Sequence, residues 1–230
     1  MQSFLDFHTH QLAVPSKEVW KNINLQQSAL EFLDPALLHS GEGRMTFSVG
    51  IHPWYIDAER QQEQLQTVAT LLQHPNCLAL GEAGLDRLSK VDFLLQQSIF
   101  IEQIHLSERY QKPIILHCVR AFPEILQLKR EFKPSQAWIF HGFNQKKTIL
   151  EQVQLSGCYL SVGAAVLNPL SAISKLLPNI DIGSIFLETD DKAVTIQEIY
   201  DQIMLLKGID RDSLILAMQK NMYKIFGKRE

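Results

Sequence analysis

The chain has 230 residues, of which 46% are hydrophobic and 20% charged, and its formal net charge at pH 7 is −3. This apolar content, with mixed charge, excludes a disordered protein. No apolar run approaches the roughly 20 residues of a membrane helix. The chain opens without a basic segment followed by an apolar one, so we expect no signal peptide and a cytoplasmic protein that does not enter a membrane.

The cysteines and the net charge exclude further classes of protein. Cys77, Cys118 and Cys158 are far apart and form no CxxC pair, which disfavours a disulfide framework or a zinc ribbon. We expect reduced thiols. A slightly acidic chain argues against an extended basic groove for duplex nucleic acid, but a small anion or a nucleic-acid end remains an open possibility.

Eight short apolar segments bounded by turn residues predict buried strands of a parallel sheet. In chain order they span residues 3–8, 19–25, 45–50, 77–81, 113–117, 137–141, 158–162 and 184–188. Helical patterns cover residues 57–73, with Asp57 as the predicted cap, residues 91–110, a segment that begins with a capping box at Thr195, and residues 211–226.

This alternation predicts a single (β/α)8 barrel domain over residues 1–230, with a doubly wound open sheet as the alternative. Only about ten residues, including Pro15, separate the first two predicted strands. The first crossover helix is therefore expected to be short or absent.

Histidines and carboxylates interrupt the apolar segments at their carboxyl ends. They are His8, His10, His52, Glu82, His117, His141 and Asp190. A single histidine at a strand end is commonly a hydrogen-bonded core residue. However, the carboxyl ends of parallel barrel strands meet at one rim, where catalytic residues belong, so the whole set predicts a metal site.

The number of candidate ligands predicts two metal ions. Four imidazoles and two carboxylates (His8, His10, His117, His141, Glu82 and Asp190) exceed the needs of one four-coordinate ion. Imidazole favours ions such as Zn or Mn, and the carboxylates leave Mg open. Two divalent ions bring four positive charges, and two carboxylates and a bridging hydroxide remove three. The residual charge favours an anionic substrate such as a phosphodiester.

Six motifs, taken in order, resemble those of the TatD-type metal-dependent hydrolases, which are amidohydrolase-like barrels. They are His8-Thr9-His10, Gly50-Ile51-His52-Pro53, Gly81-Glu82-Ala83-Gly84-Leu85-Asp86, Leu116-His117-Cys118-Val119-Arg120-Ala121, Phe140-His141-Gly142-Phe143 and Leu187-Glu188-Thr189-Asp190. Asn221, shortly before Ile225-Phe226-Gly227, resembles the C-terminal signature of the same family.

The resemblance implies deoxyribonuclease or related phosphodiesterase activity with divalent ions. It implies that His8, His10 and Asp190 hold one ion, that His117 and His141 hold the other, and that Glu82 bridges the two. His52 and Arg120 would contact the phosphate.

The chain departs from the family pattern at three places. Trp54 stands where a further histidine is usual, Asp191 and Lys192 follow the Glu-Thr-Asp motif, and the segment between the first two motifs is short. Trp54 could bind the substrate by stacking on a base, or could pack the rim.

Our mechanistic hypothesis is attack by a metal-bridging hydroxide on a phosphodiester. Asp190 would accept the proton of the attacking water, and Glu188 and Asp86 would orient the ligands or form structural salt bridges. We expect weak, salt-sensitive binding of DNA ends or single strands by a monomer.

Three alternatives remain. The chain could be an amidohydrolase-like enzyme that acts on an ester, lactone or amide, although relatives of that kind often bridge their metals with a carbamylated lysine and the fourth strand offers Glu82 instead. It could resemble the histidinol-phosphatase-like barrels, which the motifs fit less well. It could also be a non-catalytic metal-binding scaffold.

Overall fold

The computed structural model describes residues 4–11, 19–25 and 45–227. Its strands are β1 (Phe4–Thr9), β2 (Val19–Leu25), β3 (Met45–Val49), β4 (Cys77–Asp86), β5 (Ile114–Val119), β6 (Trp138–Phe140), β7 (Tyr159–Val162) and β8 (Ile185–Leu187). Its α-helices are α1 (Gln61–Leu71), α2 (Phe93–Tyr110), α3 (Phe122–Phe132), α4 (Lys147–Leu155), α5 (Ala172–Leu176), α6 (Ile196–Lys207) and α7 (Arg211–Phe226), with short 3-10 turns at Ala164–Leu167, Leu177–Asn179 and Ile182–Ser184.

The strands form one sheet in the order β1 to β8, as expected when each strand is followed by a crossover to its neighbour. A parallel bridge joins Thr9, at the end of β1, to Asp190, shortly after β8. The fold class is the predicted (β/α)8 barrel. The predicted short first crossover, with Pro15, falls on residues 12–18, which lie outside the described part of the chain.

Contacts within the chain group it into two compact units. The first contains β1 and His141–Glu230, which includes β7 and β8, and the second contains Thr46–Phe140. The single domain over residues 1–230 stays a prediction. In the first unit Phe7 stacks on Phe186 with a centroid distance of 4.2 Å, and the fully buried Tyr200 donates its hydroxyl to the Leu5 carbonyl. In the second unit β5 pairs with both β4 and β6, and Phe100 packs against Trp138.

Two buried polar side chains hold the first unit together near the ends of its strands. Asp6 accepts hydrogen bonds from the Thr189 backbone N–H at 2.9 Å and from its hydroxyl at 2.8 Å. Burial raises the pKa of Asp6 to about 6, even though these bonds act in the opposite direction. Asn221 donates to the Ile182 and Ile185 carbonyls, so it joins α7 to the start of β8.

Several predicted boundaries are confirmed and others are wrong. The capping box of Thr195 and Glu198 and the last helix are present as predicted. Asp57 does not cap α1, because the helix begins after Arg60 and the Asp57 carboxylate accepts from the amides of Glu59 and Arg60 in the preceding turn. Strand β4 runs beyond residue 81 to Asp86, so Glu82 lies inside the strand rather than after it.

Gly84 lets β4 and β5 approach each other at the functional end of the second unit. It pairs with His117 in the parallel register and has a φ of +147°, which L side chains rarely adopt. A Cβ atom at this position would lie 2.0 Å from the His117 carbonyl oxygen. Only glycine therefore fits here without displacing the backbone that carries His117.

We expect Gly84→Ala to lower the free energy of unfolding by about 3 kcal/mol or more, because strain and overpacking add. The matched control is Gly157→Ala, where φ is +66° but nothing lies within 4 Å of the added Cβ. Its expected cost is about 1 kcal/mol. Urea denaturation measures both, and equal costs would contradict the role given to Gly84.

Candidate metal centre

The first unit brings together three predicted metal ligands from distant parts of the sequence. His8 lies in β1, His141 directly follows β6, and Asp190 follows β8. Each offers one ligand atom, and these three atoms lie within 4.8 Å of one another. His8 is fully buried and the other two are partly buried. Two imidazole nitrogens and a carboxylate oxygen are a common donor set for Zn and related divalent ions.

Backbone hydrogen bonds fix Asp190 against the end of β1. Its N–H donates to the His8 carbonyl at 2.9 Å, and its own carbonyl accepts from the His10 N–H at 3.2 Å. The carboxylate Oδ1 then lies 3.7 Å from His8 Nε2 and 3.4 Å from His10 Nε2. The first and last motifs of the sequence are therefore one structural feature, which places three predicted ligands side by side.

Glu188 supports the segment that carries His141. Its side chain is fully buried, and Oε1 accepts a 2.6 Å hydrogen bond from the Gly142 N–H. The same oxygen lies 3.8 Å from His141 Nδ1. Both readings of Glu188, as a group that orients a neighbouring ligand and as part of a structural salt bridge, stay predictions.

The second unit contains another candidate ion site, formed by His52, Glu82 and His117. The ligand atoms of the three residues lie within 4.8 Å of one another. His117 Nδ1 is 2.5 Å from Glu82 Oε1, and His52 Nε2 is 3.3 Å from that oxygen. The Glu82 side chain is only 5% exposed. The buried carboxylate oxygen and the ring nitrogen are close enough to share a proton, and a bound divalent ion would replace that proton.

Asp86 and Trp54 contact this second cluster from the side opposite Glu82. Asp86 Oδ2 lies 3.1 Å from His117 Nε2 and accepts a 2.6 Å hydrogen bond from the Trp54 indole. Burial raises the pKa of Asp86, but the bonds from His117, Leu88 and Trp54 outweigh burial and hold that pKa at about 2. Asp86 is thus an ionised acceptor for the ring that faces Glu82.

Asn24 is a site residue that the sequence analysis did not identify. Its amide oxygen accepts from the Glu82 N–H at 2.9 Å, and its amide nitrogen donates to Glu82 Oε2 at 3.2 Å. Asn24 thereby fixes both the backbone and the carboxylate of Glu82. Its signal in the sequence is the alternation of Asn22 and Asn24 within an otherwise largely apolar strand, which places two amides on one face of β2.

The contacts do not test the roles predicted for Arg120, for the His117–His141 pair or for a bridging Glu82. Arg120 directly follows β5 and is exposed, and its contact with phosphate stays a prediction. The pairing of His117 with His141 on one ion, and the bridging role of Glu82, also stay predictions. Within each unit, His141 lies with His8 and Asp190, whereas His117 lies with Glu82 and His52.

A parallel barrel with buried imidazoles and carboxylates at its strand ends is the architecture of a metal-dependent hydrolase. Residues 15–227 match the family described as TatD related DNase, and the chain belongs to this family.

Curated relatives of the chain include hydrolases and nucleases. It is 29% identical to the uncharacterized metal-dependent hydrolase YjjV of Escherichia coli K12, over 62% of this chain and 56% of that relative, so the match spans less than two thirds of YjjV. It is 25% identical to the 3'-5' ssDNA/RNA exonuclease TatD of Erwinia amylovora, over 78% of this chain and 77% of that protein. A human relative, the 3'-5' RNA nuclease TATDN2, is 29% identical over 61% of this chain and 19% of that protein.

Solved structures share the fold. The crystal structure of YjjV from Escherichia coli superposes with a TM-score of 0.83 at 20% identity, with 98% of both chains covered. A TatD family hydrolase from Entamoeba histolytica gives a TM-score of 0.81 at 17% identity, with 99% of both chains covered. Among the helices in the described ranges, none has the length and apolar character needed to cross a membrane.

We expect Asn24→Ala to weaken divalent metal binding about tenfold to a hundredfold, because Glu82 loses the partner that orients it. Calorimetric titration of the metal-free protein with Zn²⁺ or Mn²⁺ measures the affinity. Gln62→Ala, which removes an exposed amide in the first turn of α1, is the matched control. If the two variants bound metal equally well, Asn24 would have no part in the site.

Proposed function

We propose that the protein is a divalent-metal-dependent nuclease that hydrolyses phosphodiester bonds in single-stranded nucleic acid or at nucleic-acid ends. The observation that carries the proposal is the pair of donor sets, His8, His141 and Asp190 in one unit and Glu82, His117 and His52 in the other. Membership of the TatD family and the nuclease relatives support the choice of a phosphodiester as substrate.

Two donor sets support two ions per chain, with Zn, Mn or Mg as candidates. His8, His10, His141 and Asp190 would hold one ion, and Glu82 and His117 would hold the other. When bound, such ions lower the pKa of water and stabilise negative charge on the attacked and leaving oxygens of a phosphodiester. This assignment places His141 with His8, whereas the resemblance implies that His141 shares an ion with His117 and that Glu82 bridges the two ions.

Other residues of the chain would accept the proton, bind the phosphate and position the ligands. Asp190 is partly exposed and close to two histidines, so its carboxylate can accept a proton from an attacking water. His52 and the exposed Arg120 would bind the phosphate oxygens. Asp86 and Glu188 would hold the imidazoles of His117 and His141 in place.

The substrate class follows from charge as well as from the relatives. The chain carries a net charge of −3, so binding energy for nucleic acid must come from a local positive site rather than from the whole surface. We therefore propose end-directed hydrolysis of single strands without sequence recognition. We also propose a monomer in the reducing cytoplasm, where Cys77, Cys118 and Cys158 stay free thiols as they are in the structure.

Metal-reconstituted protein should shorten single-stranded DNA from an end, and Glu82→Ala should lower the rate at least about a hundredfold, since a ligand matters no less than the groups that orient it. Gel analysis of end-labelled strands measures the rate, and circular dichroism checks the fold. Glu151→Ala, at an exposed position on α4, is the control.

The same assay includes RNA, a lactone and a carboxylic ester. Hydrolysis of the lactone or the ester without any cleavage of DNA or RNA would contradict the nuclease proposal. A fully active Glu82→Ala variant would contradict the role of Glu82.

A further inference from the structure

Trp54, which stands where the family pattern has a further histidine, contacts the second cluster through two different groups. Its backbone N–H donates to His52 Nδ1 at 3.1 Å. Its indole N–H donates to Asp86 Oδ2 at 2.6 Å, and Asp86 in turn faces His117. Trp54 therefore contacts His52 directly and His117 through Asp86.

The backbone contact determines which nitrogen of His52 carries the proton. A backbone N–H can only donate, so Nδ1 must accept, and a neutral imidazole then carries its hydrogen on Nε2. Nε2 points toward two acceptors, Glu82 Oε1 at 3.3 Å and His117 Nδ1 at 3.1 Å. His52 consequently offers an N–H group to the site rather than a lone pair.

The indole contact determines the same tautomer in His117, although the opposite ring nitrogen faces Glu82 there. The Asp86 carboxylate can only accept, so the nitrogen facing it, Nε2, carries a hydrogen. When a metal ion is bound, Nδ1, the nitrogen that faces Glu82, is then the one whose lone pair can bind it. This is the arrangement in which a carboxylate orients an imidazole to bind a metal ion.

Trp54 is well placed to keep the Asp86 carboxylate in this orientation. Oδ1 accepts a 2.7 Å bond from the Leu88 N–H, so Oδ2 is the oxygen left for the indole and for His117. A short bond from a rigid indole limits rotation of the carboxylate about its own axis. Trp54 is nevertheless 54% exposed, so its role does not depend on burial in the core.

We propose that Trp54 is a positioning residue that holds His52 and His117 both in the Nε2–H tautomer but with opposite nitrogens toward Glu82, so that His117 binds a metal ion through Nδ1 while His52 donates from Nε2 to a substrate oxygen. The part concerning the substrate depends on the proposed nuclease function; the part concerning the tautomers and the metal does not. His52 is thereby a hydrogen-bond donor, although its ring lies among the candidate ligands of this cluster.

Two measurements test the proposal, and the first needs no variant. NMR of metal-free and Zn²⁺-loaded protein with isotope-labelled histidine should show His52 with its hydrogen on Nε2 and, in the loaded protein, His117 with its hydrogen on Nε2 and Zn²⁺ on Nδ1. A hydrogen on His52 Nδ1, or Zn²⁺ on His52, would overturn the proposal even if every variant failed to fold.

The second measurement compares the metal affinity of matched variants. Trp54→Phe keeps an aromatic ring but removes the indole donor, and it should weaken Zn²⁺ or Co²⁺ binding about tenfold and change the visible spectrum of bound Co²⁺. Tyr55→Phe, which alters the neighbouring exposed aromatic residue, should change neither. His52→Gln should keep metal affinity within about twofold, whereas His117→Gln should lower it at least about a hundredfold.

The outcomes separate this proposal from base stacking and from failure of the proposed function. Unchanged metal affinity in Trp54→Phe, with only a higher KM for oligonucleotides, would mean that the ring stacks on a base, and would overturn the positioning role. Equal losses of affinity in His52→Gln and His117→Gln would make His52 a ligand and also overturn it. If no phosphodiester were cleaved while the predicted affinity changes occurred, the nuclease function alone would fail.

Discussion

Burial of carboxylates beside imidazoles at the strand ends is the constraint on which the rest of this structure depends. Glu188 is fully buried and Glu82 nearly so. Removing such groups from water costs several kcal/mol each unless hydrogen bonds and a cation compensate. Asn24 and His117 provide partners for Glu82, and Gly142 provides one for Glu188. Burying these carboxylates therefore lowers the free energy of unfolding of the metal-free protein, and bound ions would offset that loss.

Residues that stabilise the fold also position the proposed ligands. Asp6 and Thr189 hold the end of β1 to the segment after β8, and that contact fixes the backbone between His8 and Asp190. Gly84 allows β4 to lie close enough to β5 for Glu82 to reach His117. A change in either place would disturb the ligands through the backbone, although neither residue is itself a proposed ligand.

The sequence predicts the fold class and most of the site because those features depend on local and periodic patterns. Apolar segments alternate with helical ones, and in a parallel sheet the polar residues at strand ends must lie at the same edge. His8 and Asp190 are 182 positions apart in the sequence, yet this rule alone is enough to place them together. The capping box at Thr195 is equally local and is equally visible in the sequence.

Other features depend on which side chains meet in three dimensions, and they are not visible in the sequence. Asp57 has the character of a helix cap, but its carboxylate is satisfied one turn earlier by the amides of Glu59 and Arg60. Asn24 contacts Glu82 across 58 positions of sequence, and the bond from Trp54 to Asp86 spans 32. Nothing in the local pattern at Trp54 distinguishes a hydrogen-bond donor to Asp86 from a platform for a base.

The central claim, that the two clusters each hold one divalent ion, is tested most directly by metal content. Emission spectrometry on reconstituted protein should find two ions per chain, with His8→Ala removing one and His117→Ala removing the other. A single ion per chain that either substitution removes, or no stable ion in a correctly folded protein, would contradict the account.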